Sequence, residues 1–270
     1  MPELPEVEVT RLGIAPHLRG RRLEGAVVRD SRLRLPVNDD LAARVSGQRL
    51  LNLRRRGKYL LLDLERGTIL IHLGMSGHLR VLPQSAPVQK HDHVDLLFAD
   101  DLCLRFHDPR RFGAVLWLDD ADRHPLLQHL GPEPLGDAFG AEYLYQQGRN
   151  RQIPVKSFLM DAHIVVGVGN IYANESLFAA GIDPRRPAGR IALPRYMKLV
   201  QAVRTVLEAA IAQGGTTLRD FTRPDGGNGY FRLSLAVYGR EGEPCTHCGA
   251  PLQGVRIGGR ATIYCSQCQR

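Results

Sequence analysis

The second residue of the chain is proline, and two glutamates three positions apart, Glu3 and Glu6, follow it. Removal of the initiator methionine, expected before so small a residue, exposes the secondary amine of Pro2. An α-amine titrates near pH 8 against about 10.4 for lysine, so roughly a tenth of such amines carry a lone pair at neutral pH. A helix predicted to begin at Pro5 directs its positive end at this amine and lowers its pKa further. Such an amine can attack a sugar carbon and form an iminium, as catalytic lysines do with carbonyls. Glu3 and Glu6 lie on one side of the helix start, so one could serve as acid or base while the other fixes backbone groups. A proton-donating Glu3 needs burial or a nearby phosphate, because the helix end favours the ionised form. By residue type alone a second reading stays open, since many chains begin Met-Pro and glutamate is common in first helical turns.

A second set of residues points to a metal. Cys245-Thr246-His247-Cys248 and Cys265-Ser266-Gln267-Cys268 are two knuckles separated by 16 residues. That spacing suits four thiolates around one tetrahedral Zn2+. A closed four-sulfur shell leaves no position for water, so one structural zinc per chain is expected, without a chemical role. His247 is read as a non-ligand; redox or disulfide pairs are the alternative for the cysteines. Cys103 stands alone in a strand and reads as core. Between the knuckles lie Arg256, Arg260 and Tyr264, a basic hairpin of the kind that meets a nucleic-acid backbone or groove.

The elements that must carry these groups fall into two textures. After the helix Pro5 to Leu18 come strand-like runs at Leu23 to Arg34, Arg49 to Arg56, Tyr59 to Leu64, Thr68 to Leu73, His78 to Leu82, His93 to Phe98, Leu102 to His107 and Ala114 to Leu118. Short turns such as Asp100-Asp101 join several of them, which predicts an antiparallel sandwich. Gly131-Pro132-Glu133-Pro134 reads as a hinge. Helices are expected at Val155 to Ala162, Asn170 to Ala180 and Pro194 to Gln213, then a long loop from Gly214 to Gly229 and a cysteine-rich hairpin segment from Ala236 to Arg270. The resulting division is 1–131 for the sandwich, 132–150 for the connection, 151–235 for the helical part and 236–270 for the zinc module.

Bulk properties bound the function. A chain of 270 residues is expected to form two domains. A formal charge of +8 and a pI near 9.5 favour a polyanionic partner, nucleic acid before membrane, with a basic enzyme lacking such a partner as the alternative. The basic residues are four lysines against 32 arginines. Arginine cannot give up its proton, so Lys58, left at the end of Arg54-Arg55-Arg56-Gly57, stands out as a candidate for chemistry. No signal peptide or long apolar run is visible, and a soluble, cytoplasmic protein with no membrane partner is expected.

The start Pro2-Glu3-Leu4-Pro5-Glu6-Val7-Glu8 and the four-cysteine end together resemble the formamidopyrimidine-DNA glycosylase family. Lys58-Tyr59-Leu60, His72-Leu73-Gly74-Met75-Ser76-Gly77, His91-Asp92-His93, Asp108-Pro109-Arg110-Arg111-Phe112-Gly113 and Val166-Gly167-Val168-Gly169-Asn170-Ile171-Tyr172 continue the resemblance across the chain. It implies an α+β multidomain fold: an N-terminal antiparallel β-sandwich with flanking helices, then a helix–two-turns–helix domain with the zinc hairpin. The implied activity removes oxidised purines from double-stranded DNA and then cleaves the strand by β,δ-elimination, by a monomer with DNA lying between the two halves. The implied roles are Pro2 as nucleophile, Glu3 as proton donor, Lys58 as assistant in β-elimination, and Arg260 as phosphate contact supporting δ-elimination. His91, Arg110, Arg151 and Asn170 are implied to line the DNA. The related endonuclease VIII type, specific for oxidised pyrimidines, has glycine at the position of Leu4 and lacks the Met75, Arg110 and Phe112 set.

Physical reasons support these assignments. A base inside a duplex must be flipped out, at a cost of a few kcal/mol. Met75 and Phe112 are apolar and adaptable enough to fill the gap, although by type alone they read as core. Arg110 offers only donors, which suits the acceptors of cytosine, so lesions opposite cytosine are the expected substrate. A main-chain carbonyl in the loop Thr216 to Gly229 is the candidate reader of the oxidised ring nitrogen. Val168-Gly169-Asn170 opens a helix and suits a phosphate, whereas a dinucleotide fingerprint fails because Tyr172 stands where a third glycine belongs. An oxidised-pyrimidine glycosylase and a non-catalytic zinc-ribbon DNA binder are the two competing readings.

Overall fold

The computed structural model describes residues 2–214 and 235–270. The expected loop, and the lesion-reading carbonyl placed in it, lie outside the described residues from position 215 on. Two compact units result, one of residues 2–128 and one of residues 129–213 with 235–270.

The first unit runs α1 (Leu4–Leu18), β1 (Leu23–Val28), α2 (Leu41–Val45), β2 (Leu50–Arg56), β3 (Tyr59–Leu64), β4 (Gly67–His72), β5 (His78–Pro83), β6 (Asp92–Phe98), β7 (Leu102–His107), β8 (Ala114–Leu118) and α3 (Pro125–Gln128). Its strands form two antiparallel sheets, β1-β6-β7-β5 and β2-β3-β4-β8. Leu60, Leu62 and Leu64 of β3, Ile69 and Ile71 of β4, and Val115 and Trp117 of β8 share one buried cluster with Val94, Leu96 and Phe98 of β6 and Leu104 and Phe106 of β7. The period of two puts each set on one face, so the sheets meet across a common apolar layer, the expected sandwich. Val7, Ile14 and Leu18 of α1, at helical spacing, join that core. The predicted turn Asp100-Asp101 joins β6 to β7 with φ of 64° and 58° at its two residues. These are the left-handed values a two-residue hairpin turn demands, and aspartate tolerates them.

The strand expected from Leu23 to Arg34 ends at Val28. Arg29 N–H still donates to His93 O at 2.8 Å, but the carboxylate of Asp30 then accepts from the backbone and side chain of Arg32 at 3.0 and 2.9 Å. A local turn of this kind competes with the sheet ladder and wins. The short helices α2 and α3 carry too few turns to show a period.

The second unit holds α4 (Ala141–Gly148), α5 (Val155–Leu159), α6 (Asn170–Ala179), α7 (Leu193–Ala212), β9 (Gln253–Ile257) and β10 (Arg260–Tyr264). Tyr196, Leu199, Val203 and Leu207 form the buried stripe of α7, which packs on α4 and α6. The helix expected to reach Ala162 stops at Leu159. Strands β9 and β10 form a hairpin whose turn, Gly258-Gly259, has φ of 56° and 75°. Two consecutive left-handed residues explain the paired glycines.

Candidate active site and nucleic-acid-facing loops

Helix α1 begins with a reciprocal cap. Glu3 is the N-cap; its side chain accepts from the backbone N–H of Glu6, and its own backbone N–H donates to Glu6 Oε2 at 2.7 Å. Two groups that a helix start leaves without intrahelical partners are thereby satisfied. Glu6, fully buried, holds the peptide that joins Pro2 to Glu3. Both glutamate side chains thus fix backbone at the helix start, Glu6 at the peptide next to Pro2 and Glu3 at the N–H of Glu6. Glu3 is 2% exposed. Pro2 stands directly before the positive end of a 15-residue helix.

Lys58 sits half-buried in the turn between β2 and β3. Arg55 ties this turn to α1: its Nε donates to Glu8 Oε2 at 3.0 Å and its Nη1 donates to Gly57 O at 3.0 Å. Arg11 pairs with the same carboxylate at 2.6 Å. Burial alone would raise the Glu8 carboxyl, but the guanidinium groups of Arg11 and Arg55 outweigh it and hold it below its ordinary value. Sequence reasoning missed Glu8 and Arg55. The only signal was that Glu8 is the third acid of the opening motif.

Met75, Arg110 and Phe112 come together on two loops of the same unit. Met75 is 36% and Phe112 44% exposed, so neither is the core residue that its type suggested. The Arg110 guanidinium carbon lies 5.0 Å from the centre of the Phe112 ring, a cation–π distance. Arg34, His72, Gly74, Met75 and Phe112 line a largely apolar pocket of about 370 Å³. Burial, helped by Lys58 and Arg34, pushes His72 down to about 4. Its neutral Nδ1 accepts from Gly74 N–H at 3.0 Å. His91, half-buried, takes a left-handed backbone with φ 76° at the start of β6.

In the second unit Asn170 is the first residue of α6, after the N-cap Gly169. Its Nδ2 donates to Ala261 O of the hairpin at 3.1 Å, and an amide nitrogen has a second hydrogen for another acceptor. Arg151 stacks over Phe158, 5.7 Å from the ring centre. Arg260 and Arg256 are exposed on the hairpin. Tyr264, grouped with them from sequence, is buried instead, with its hydroxyl donating to Gln253 Oε1 at 2.8 Å. Lys156 was missed. It is fully buried, and its ammonium donates to Ala261 O at 2.8 Å and Thr262 Oγ1 at 2.7 Å. The scarcity of lysine that drew attention to Lys58 applies equally to it. Glu175 was missed too; its carboxylate accepts three backbone N–H bonds, from Ala236, Val237 and Tyr238, at 2.8 to 3.0 Å.

The four sulfurs of Cys245, Cys248, Cys265 and Cys268 lie within 4.8 Å of one another. The pairs Cys245–Cys268 and Cys248–Cys265 are 3.9 and 3.5 Å apart. A tetrahedron with Zn–S bonds near 2.3 Å has edges of about 3.8 Å, so the set fits one zinc ion. The four sulfurs complete the shell, and His247 instead stacks on Phe178 with ring centres 4.6 Å apart. Cys103 is buried core; burial and the Asp95 carboxylate push its thiol up to about 12. No described helix is long and apolar enough to cross a membrane.

Comparison with known proteins agrees with this arrangement. Residues 1–115 match the formamidopyrimidine-DNA glycosylase N-terminal domain, residues 130–222 the H2TH domain of the same enzymes, and residues 242–270 the zinc finger found in these glycosylases and in isoleucyl-tRNA synthetase. The chain is 99% identical over its whole length, and that of the relative, to a formamidopyrimidine-DNA glycosylase of Acidithiobacillus ferrooxidans. It is 58% identical, again over both full chains, to one of Pseudomonas putida. The crystal structure of the MutM (Fpg) protein from Thermus thermophilus superposes with a TM-score of 0.88 at 40% identity, covering 99% of this chain and 98% of the other. A Lactococcus lactis Fpg in complex with abasic-site DNA superposes with a TM-score of 0.90 at 30% identity over 99% of each chain. The chain is thus a DNA-repair glycosylase with a four-cysteine structural zinc site. It belongs to the formamidopyrimidine-DNA glycosylase family.

Proposed function

We propose that this enzyme excises oxidised purines, 8-oxoguanine and formamidopyrimidines, opposite cytosine in duplex DNA and cleaves the resulting abasic site. The Pro2 nitrogen bonds to C1′ of the flipped nucleotide as the bond from C1′ to the base breaks. Glu3 protonates the departing system as the C1′–O4′ bond breaks and the ring opens, the base takes up the proton that the Pro2 nitrogen gives up, and an iminium between Pro2 and C1′ remains. This electron sink acidifies C2′; loss of that proton, assisted by Lys58, expels the 3′ phosphate. A second elimination, with Arg260 holding phosphate, expels the 5′ phosphate. Met75 and Phe112 fill the vacated space and Arg110 meets the widowed cytosine, while His91, Arg151 and Asn170 hold the backbone. The zinc ion of Cys245, Cys248, Cys265 and Cys268 keeps the hairpin folded. Residues 1–131, 132–150, 151–235 and 236–270 then serve as catalytic sandwich, connection, helical DNA-holding part and zinc module.

The carrying observation is the reciprocal cap at Glu3 and Glu6, which orders the peptide next to Pro2 and buries Glu3. Borohydride reduction with lesion or abasic DNA tests it: a covalent adduct mapping to Pro2 is expected. Absence of any adduct, or an adduct on a lysine, sinks the mechanism. Faster cleavage of thymine glycol than of 8-oxoguanine duplexes would reassign the substrate to oxidised pyrimidines.

A further inference from the structure

Asp108 opens the motif that carries Arg110 and Phe112, yet it is fully buried and faces away from solvent. Its bonds run in several directions. Oδ1 accepts from Ser76 Oγ at 2.6 Å and from Arg110 N–H at 3.3 Å. Oδ2 accepts from Gly113 N–H at 2.8 Å. Its backbone N–H donates to His91 O at 3.0 Å, and its carbonyl meets His93 Nε2 at 2.8 Å. Ser76 Oγ in turn accepts from Arg110 N–H at 3.2 Å. The carboxylate therefore touches the loop after Met75 and both ends of the Arg110–Phe112 loop, while the backbone N–H of the same residue holds the left-handed His91.

The backbones are pressed together at the same place. A Cβ at Gly74 would lie 2.4 Å from Gly113 N and 2.4 Å from Phe112 C, and Gly74 itself has φ +67°. Two exposed loops thus meet chain to chain, with a buried charge-assisted hydrogen-bond cluster beneath them. Bonds to a buried carboxylate are stronger than those a neutral amide would give.

We infer that Asp108, through Ser76, is a positioning residue that locks the Met75 and Arg110–Phe112 loops into one body, so that the wedge and the cytosine-reading guanidinium enter DNA together. This rests on the roles of Met75, Arg110 and Phe112 proposed above. Asp108 touches no substrate; it sets where Arg110 stands. Opposite-base selectivity should then depend on a hydroxyl and a carboxylate that never meet the base.

The test compares Ser76→Ala, Ser76→Thr, Asp108→Asn and Arg110→Ala in the full zinc-loaded enzyme. The readout is the ratio of kcat/KM for 8-oxoguanine opposite cytosine to that opposite adenine, with borohydride trapping at a preformed abasic site alongside. Ser76→Ala should lower the ratio about threefold to tenfold, the effect of one net hydrogen bond, while trapping persists. Ser76→Thr, which keeps the hydroxyl, should restore the ratio, and Asp108→Asn should lower it at least as far as Ser76→Ala. Ser76→Ala keeps Asp108 and its backbone bonds, so it reports even if the Asp108 variant fails to fold. An unchanged ratio in Ser76→Ala, with Arg110→Ala losing it, overturns the lock and leaves the reading of Arg110 standing. An unchanged ratio in Arg110→Ala overturns that reading and the lock with it.

Discussion

Arg110, on the loop between β7 and β8, and Arg260, at the start of β10, are both exposed arginines, one in each compact unit, and the two segments are held by different physics. The Arg110 loop rests on side chains and shape: the buried carboxylate of Asp108, the hydroxyl of Ser76, and a glycine contact that admits no Cβ. The Arg260 hairpin has only a small core, Phe178, Val237, Leu252 and Ile263 around the cysteines, and relies on zinc and on the buried ammonium of Lys156. A sandwich with a large apolar layer can fix its loops by hydrogen bonding. A segment of some 30 residues cannot bury enough surface to do so and depends on a metal.

The sharpest way to break this contrast is to remove the metal. Zinc contributes on the order of 10 kcal/mol to folding of small four-ligand modules. A strong chelator should therefore unfold the hairpin and abolish DNA binding measured by fluorescence anisotropy. The single tryptophan, Trp117, lies in the sandwich core and should keep its emission. A Trp117 shift at the same chelator concentration would show that the sandwich also depends on zinc.

The corresponding blow to the sandwich loop is Gly74→Ala. It combines a left-handed φ with backbone overlap at 2.4 Å. A destabilisation of about 2–4 kcal/mol is expected in urea unfolding followed by Trp117, the range of severe steric and φ/ψ defects. Gly20→Ala is the control: its φ is +81° but nothing lies within 4 Å, so only the conformational cost of about 1 kcal/mol should appear. Equal losses at the two sites would remove the close approach from the account.

What could be read in advance follows the range of the interaction. The cysteine knuckles, the start of α1 and most strand runs are local patterns, and they stand nearly where spacing put them. The sandwich followed from clustered strand-like runs joined by short turns, which are local signals too. Glu8–Arg55 and Ser76–Asp108 join residues 47 and 32 positions apart, and no local signal encodes such a pair. Met75 and Phe112 misled by type, since residue type alone does not separate an exposed apolar side chain from a buried one, and Leu12, Leu51 and Met197 are exposed as well. The overlong strand at Arg34 shows a polar turn defeating a β-like composition.

A smaller effect separates the metal from its supports within the hairpin. Lys156→Met keeps the volume of the side chain but takes away the donor to the buried Thr262 Oγ1 and one of the two donors to Ala261 O, which keeps Asn170 Nδ2. Leaving a buried acceptor unpaired costs about 1–3 kcal/mol. Zinc should still bind at neutral pH but transfer faster to a chromophoric chelator, with urea unfolding of Trp117 unchanged. An unaltered transfer rate would mean that the four sulfurs alone hold the hairpin.

Protons give the finest distinction. Burial first, then neighbouring cations, lowers both His72 and His78 to about 4 from an ordinary 6.5. Between those values the unfolded chain binds protons that the folded sandwich does not. The stability contributed by neutral burial is therefore complete above pH 6.5 and declines as pH falls towards 4. Protonated His72 also loses the lone pair that accepts from Gly74 N–H, so acid acts on the very loop that zinc does not hold. Asp92 and Asp95 are held below their ordinary 3.8 and yield only in stronger acid, so their contribution falls in a separate window. His78→Phe removes one of the two histidines from a buried site beside His107. The drop in the Trp117 urea midpoint between pH 7 and pH 5 should shrink in this variant, with zinc content unchanged at both values. A drop equal to that of the parent would assign the acid sensitivity of the sandwich to groups other than His78.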